Sequence, residues 1–174
     1  MIIREGIIIK TMVPAIAAAT LLAATTATAD GYLKYGEVEG WKVFIDQGKK
    51  SCLIEKVDAL ENVVQMGLTK DRGIGYLGVF TKAKTDIKAG RTAEIAIMVG
   101  ENIYLGQATG MRGNITQGYS GGYVISNDPQ FADDLARQYT AMVFPEKEYA
   151  FEIDLTGTMK AMEMARQCNA DQLK

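Results

Sequence analysis

The chain lacks histidine altogether and carries two cysteines, three prolines and one tryptophan in 174 residues, with a net charge of only −2. Each shortage excludes something. Without histidine there is no Ser-His-Asp triad, no Cys-His dyad, no imidazole general base and no His-ligated zinc. Two cysteines paired with each other leave a metal no soft ligand. Asn127-Asp128 and Asp133-Asp134 do not have the spacing of a calcium loop. The near-neutral charge offers no basic surplus for nucleic acid phosphates. The expectation is therefore no catalytic group, no metal, no cofactor and no nucleic acid partner.

What is present reads as one globular unit. The chain is 48% hydrophobic and 23% charged, a balance that can bury a core rather than stay disordered. The N-terminus has the grammar of an export signal. Arg4 and Lys10 precede an apolar stretch from Met12 to Ala24, and Ala27-Thr28-Ala29 is an A-x-A cleavage site. The apolar run falls short of the ~20 residues a bilayer-spanning helix needs. Residues 1–29 are read as a signal peptide and 30–174 as a single β-rich domain, periplasmic or secreted, with no membrane insertion after cleavage. In such an oxidising compartment Cys52 and Cys168 are expected to pair.

Residues 30–40 are a polar, glycine-punctuated lead-in. From Trp41 the pattern alternates with a period of two: Trp41, Val43 and Ile45 against Lys42, Phe44 and Asp46, as in a strand. A turn over 46–50 returns the chain through Cys52 to Val57, giving a hairpin. Val63 to Leu68 and Gly75 to Thr81 are two further strands, joined by a turn at Lys70–Gly73. Lys82 to Gly90 is a charged loop. Ala93, Ile95, Ile97 and Val99 line a strand that turns at Gly100-Glu101-Asn102 and returns through Ile103 and Leu105. The glycine-rich stretch 109–122 is expected to be an irregular loop or weak edge, followed by a short strand at Tyr123–Ser126.

The period then changes. Asp128-Pro129 is a helix start. Phe131, Ala132, Leu135, Ala136, Tyr139 and Met142 share one face of a helix expected to run to about 142. A half-buried strand follows at Tyr149–Leu155, and a second helix from about 156–158 turns Ala161, Met162, Ala165 and Cys168 inward. Many strands on short turns favour antiparallel pairing. The fold class is mainly β: an antiparallel β-sandwich or curved sheet with one or two packed helices.

Three motifs look catalytic. Gly73-Ile74-Gly75-Tyr76-Leu77-Gly78 fits G-x-G-x-x-G but precedes a strand, not the helix a dinucleotide fold requires. Gly118-Tyr119-Ser120-Gly121-Gly122 fits the nucleophile elbow, yet no histidine exists to take the serine proton; a lysine such as Lys147 is the remaining base. Glu152 and Asp154 share a strand face that reads as solvated rather than as a glycosidase pair. Asn114-Ile115-Thr116 is a glycosylation sequon. Tyr104, Tyr119 and Tyr123 gather in the glycine-rich middle, a composition that suits adaptable binding surfaces and also plain strand packing. Phe131, Leu135 and Tyr139 are the expected lining of any pocket between sheet and helix.

The order Trp41-Lys42-Val43, then Cys52-Leu53-Ile54, then the run from Phe151 to Ala161 and finally Cys168 resembles a group of exported alphaproteobacterial proteins that includes the invasion-associated locus B proteins. The resemblance covers most of residues 30–174 through a few specific positions, and the chain lacks the central cysteines of the named members. It implies a periplasmic or envelope-facing β-sandwich without an established enzymatic activity, and it carries over no catalytic residue. Together with the excluded chemistry, this points to a non-enzymatic exported domain that binds a protein partner or envelope component. The alternative is a periplasmic small-ligand-binding protein.

Overall fold

The computed structural model describes residues 31–69, 74–112 and 119–174. The signal segment, the Lys70–Gly73 turn and the Asn114 sequon lie outside the described residues. The strands are β1 (Tyr32–Val38), β2 (Trp41–Asp46), β3 (Ser51–Val57), β4 (Val63–Leu68), β5 (Gly75–Thr81), β6 (Thr92–Val99), β7 (Asn102–Arg112), β8 (Ser120–Ser126), β9 (Thr140–Val143) and β10 (Phe151–Asp154), with helices α1 (Pro129–Arg137) and α2 (Thr158–Asp171). All ten strands join one antiparallel sheet in the order β1-β2-β3-β4-β5-β8-β7-β6-β9-β10. The class is the one expected, and the form it takes is the curved single sheet.

Period-two alternation decides which face is buried. Trp41 and Val43, Ile54, Val64 and Met66, Leu77 and Val79, Ile95, Ile97 and Val99, and Val143 and Ile153 all point to one side and form the core. Full burial of each aliphatic side chain stabilises by ~1.5–3 kcal/mol. The sheet curls around this face, so its last strand returns over β2–β4. Polar contacts mark the return. The Trp41 indole N–H donates to the Thr156 carbonyl at 2.9 Å. Lys56 donates to the same carbonyl and pairs with Asp154 at 2.7 Å. Asn62, in the β3–β4 turn, donates to the Glu152 carbonyl on β10, which shields part of that edge strand.

α2 packs across β1, β2 and β3 with Thr158, Ala161 and Cys168 buried. Cys168 and Cys52 form a disulfide with Cα atoms 6.0 Å apart. Beside it, the Cys52 backbone N–H donates to the Asn169 side chain at 2.9 Å. α1 begins where expected: the Asp128 carboxylate accepts from the Gln130 N–H at 2.9 Å and Pro129 occupies the first turn.

Three expectations are corrected. Residues 30–40 are not a mere lead-in, because Tyr32–Val38 form a strand paired with β2 through one bulge at Lys34/Gly36; Tyr35 and Val38 reach the core. The first helix stops at Arg137, not near 142. Gln138 is already extended, with ψ 156°, and Thr140–Val143 pairs with β6 and β10 instead. Ladder bonds on both sides outweigh the helical periodicity of that segment. Finally, 109–122 is no weak edge. β7 runs to Arg112, and β8 lies inside the sheet between β5 and β7. Glycine permits this packing: a Cβ at Gly121 would sit 2.0 Å from the Val79 carbonyl oxygen.

Candidate ligand site at the mouth of the sheet

The curl leaves a cavity of about 590 Å³ at one end, bounded by β5, β8, β7 and β6 and by the 82–91 and 144–151 segments. Its origin is legible residue by residue. Inward positions at that end carry one side-chain carbon or none: Gly122 opposite Gly110, and Ala93 opposite Ala108. Deeper along the same strands the inward positions are Leu77, Val124, Ile95, Ile97 and Tyr104, which fill the space. The floor is thus apolar and the top is hollow.

The rim is a strap formed by the 82–91 loop. The Gly90 N–H donates to the Gly110 carbonyl at 2.8 Å and the Gly110 N–H donates back to the Arg91 carbonyl at 2.9 Å. Thr85 and Ser120 share a hydroxyl–hydroxyl bond at 3.0 Å. These ties hold Lys88 and Arg91 at the opening. Across it, the nearby Asp86 carboxylate, with burial and the Glu146 charge, pushes the Tyr149 pKa up to about 12. Lys147 has Glu146 at 3.8 Å. Glu94, paired with Gln107, alternates away from the core side but still borders the cavity.

A second, smaller cleft of about 210 Å³ lies between α1, α2 and β3–β5, beside the disulfide. Phe131 and Leu135 line it, as expected, but Tyr139 does not; it sits at the α1–β9 junction and is 74% exposed. The cleft falls below the ~300–1,000 Å³ typical of small-molecule sites, whereas the mouth cavity falls inside that range.

The tyrosines do not form one surface. Tyr104 points inward, where its ring meets Phe131 at 4.6 Å and its hydroxyl donates to Asp134. Burial, then that carboxylate, pushes its pKa up to about 12. Tyr123 lies on the opposite face between Tyr76 and Phe80, donating to Gln65 at 2.8 Å. Tyr119 lies under the Lys82 ammonium. The Ser120 hydroxyl is buried against Thr85, a neutral partner that cannot take its proton. Asp154 is held by Lys56 and the Thr156 N–H. Burial raises its pKa, but these bonds outweigh that and lower it.

Sequence reasoning passed over the residues that make the mouth, Lys88, Arg91, Ala93, Ala108, Gly110 and Gly122. The signal was present in the strand phase: small residues recur at the inward positions of three neighbouring strands.

No protein-family model and no curated protein sequence matches the chain. Among solved structures, the crystal structure of invasion associated protein B from Bartonella henselae superimposes with a TM-score of 0.55. The match covers 78% of this chain and 97% of that one at 14% identity. At that identity the likeness is one of fold, and it agrees with the resemblance carried by Trp41, Cys52 and the Phe151–Ala161 run. Fold alone does not assign function.

Proposed function

We propose that this is an exported, non-enzymatic binding domain that takes a small ligand in the mouth of its curled sheet. The observation that carries the reading is the 590 Å³ cavity, with its apolar floor and its top hollowed by small residues. An apolar surface left open in this way is favourable to cover. Export to the periplasm is supported by the signal-like residues 1–29 and by the disulfide. The non-enzymatic reading is supported by the missing histidine and by the pairing of Ser120 and Asp154 with Thr85 and Lys56.

The test is titration with the neutral fluorescent probe N-phenyl-1-naphthylamine against wild type and Ala93→Phe, which fills the cavity from its rim. Saturable binding lost in Ala93→Phe, at an unchanged melting temperature, is the expected result. Equal binding by both proteins would refute the assignment of the site.

A second reading, a protein-partner surface, is favoured by Ile103, Leu105 and Ile125, which are 61%, 82% and 58% exposed on the outer face. A cross-linked partner lost on Leu105→Lys, with probe binding intact, would put that reading first.

A further inference from the structure

The charges around the mouth specify the kind of ligand. We propose that the cavity takes a single-chain amphiphile with an anionic head, its tail on the apolar floor and its head between Lys88 and Arg91. This rests on the ligand-binding reading above.

Three observations carry it. First, three cations line the cavity, Lys88, Arg91 and Lys147, and of these only Lys147 has a carboxylate within ion-pair distance among the described residues, Glu146 at 3.8 Å. Second, the Arg91 carbonyl accepts from the Gly110 N–H, and the Lys88 carbonyl in turn accepts from the Arg91 N–H at 3.2 Å. Their backbone is in place before a ligand arrives, so only side-chain freedom remains to be lost on binding. Third, the cavity lining holds two carboxylates, Asp86 and Glu94, against the three cations, and the strand phase of Glu94 carries it away from the core side. The lining therefore carries a net positive charge above Val79, Val124, Val143 and Phe144, although the chain as a whole is negative. Arginine's planar fork suits a carboxylate or phosphate, and the lysine adds a point charge. A neutral apolar ligand would leave the two cations without a partner. A cationic amphiphile would be repelled by them.

The experiment displaces bound N-phenyl-1-naphthylamine with laurate, dodecyl phosphate, dodecanol and dodecyltrimethylammonium, using wild type and the double variant Lys88→Ala/Arg91→Ala. Laurate or dodecyl phosphate should displace the probe from wild type at concentrations about tenfold below dodecanol. Added salt should narrow that gap, and the double variant should abolish it while dodecanol is unaffected. Laurate ahead of dodecyl phosphate supports the proposal with a fatty-acid head; the reverse order supports it with a phosphate head. Equal displacement by laurate and dodecanol, or a preference that survives in the double variant, overturns the proposal but leaves the ligand-binding reading standing. Probe binding that Ala93→Phe does not change removes both.

Discussion

The disulfide offers the sharpest quantitative test of this fold. It joins residues 116 apart in sequence, so it restrains most of the domain's unfolded chain. On the chain-entropy account, opening a loop of that length returns about 4.8 kcal/mol of denatured-state entropy at 25 °C. Against the ~5–15 kcal/mol by which domains are stable, that is a third of the total or more. The variant to make is Cys52→Ala/Cys168→Ala. It avoids leaving a lone polar atom in a site where the two residues are 1% and 0% exposed. At about 3 °C per kcal/mol for a domain of this size, the melting temperature should fall by roughly 14 °C. Urea unfolding followed by circular dichroism separates the causes. Freed of its cross-link, the unfolded chain expands and exposes more surface, so the midpoint should fall while the slope m rises. A midpoint that does not move would refute the structural role. A lower midpoint at unchanged m would refute the loop-entropy argument and place the loss in packing of α2 on β3.

Other outcomes follow from single positions. Gly121→Ala should cost at least about 2 kcal/mol in urea unfolding, because its Cβ would meet the Val79 carbonyl inside the sheet. Asp128→Ala should cost about 1 kcal/mol by the same measurement, through loss of the cap on α1. Alkaline titration followed by phenolate absorbance should show Tyr104, Tyr123 and Tyr149 ionising late, near 12, with Tyr76 also displaced upward, mainly by burial. These folded-state pKa values lie above the unfolded value of 10.0. Their contribution to stability is therefore intact below pH 10.0 and should be lost as pH rises towards 12. Asp134 and Asp154 run the opposite way: their pKa values are lowered from 3.8. Their contribution is present above that pH and should fade as pH drops below it, read as a falling melting temperature in acid.

Much of the fold was legible because its signals are local. The Trp41–Ile45 alternation, the Asp128-Pro129 helix start and the inward phase of Ala161 and Cys168 each report short-range geometry. The resulting elements stand at those places in the structure. The misreadings share a cause. Thr140–Val143 continues the helical phase of Phe131 and Leu135, and its strand character exists only because β6 and β10 supply ladder bonds from either side. Gly121 and Gly122 look like loop residues until β5 and β7 close on them. The tyrosines were adjacent in composition but not in space, because odd and even positions on β7 and β8 face opposite sides of one sheet.

By itself the sequence determined the β-rich class, the cysteine pair once an oxidising compartment is granted, and the chemistry that is out of reach without histidine. These depend on composition and on periods of two or a few residues. Tertiary structure decided the strand order, with β8 between β5 and β7 and β9 between β6 and β10, and with it the cavity. No one strand encodes that hollow. It appears only when Gly122 is set beside Gly110 and Ala108 beside Ala93, with the 82–91 strap tied across the top. Pairing between residues distant in the chain is fixed by the summed burial of the whole core face, a global property that no short window of residues contains.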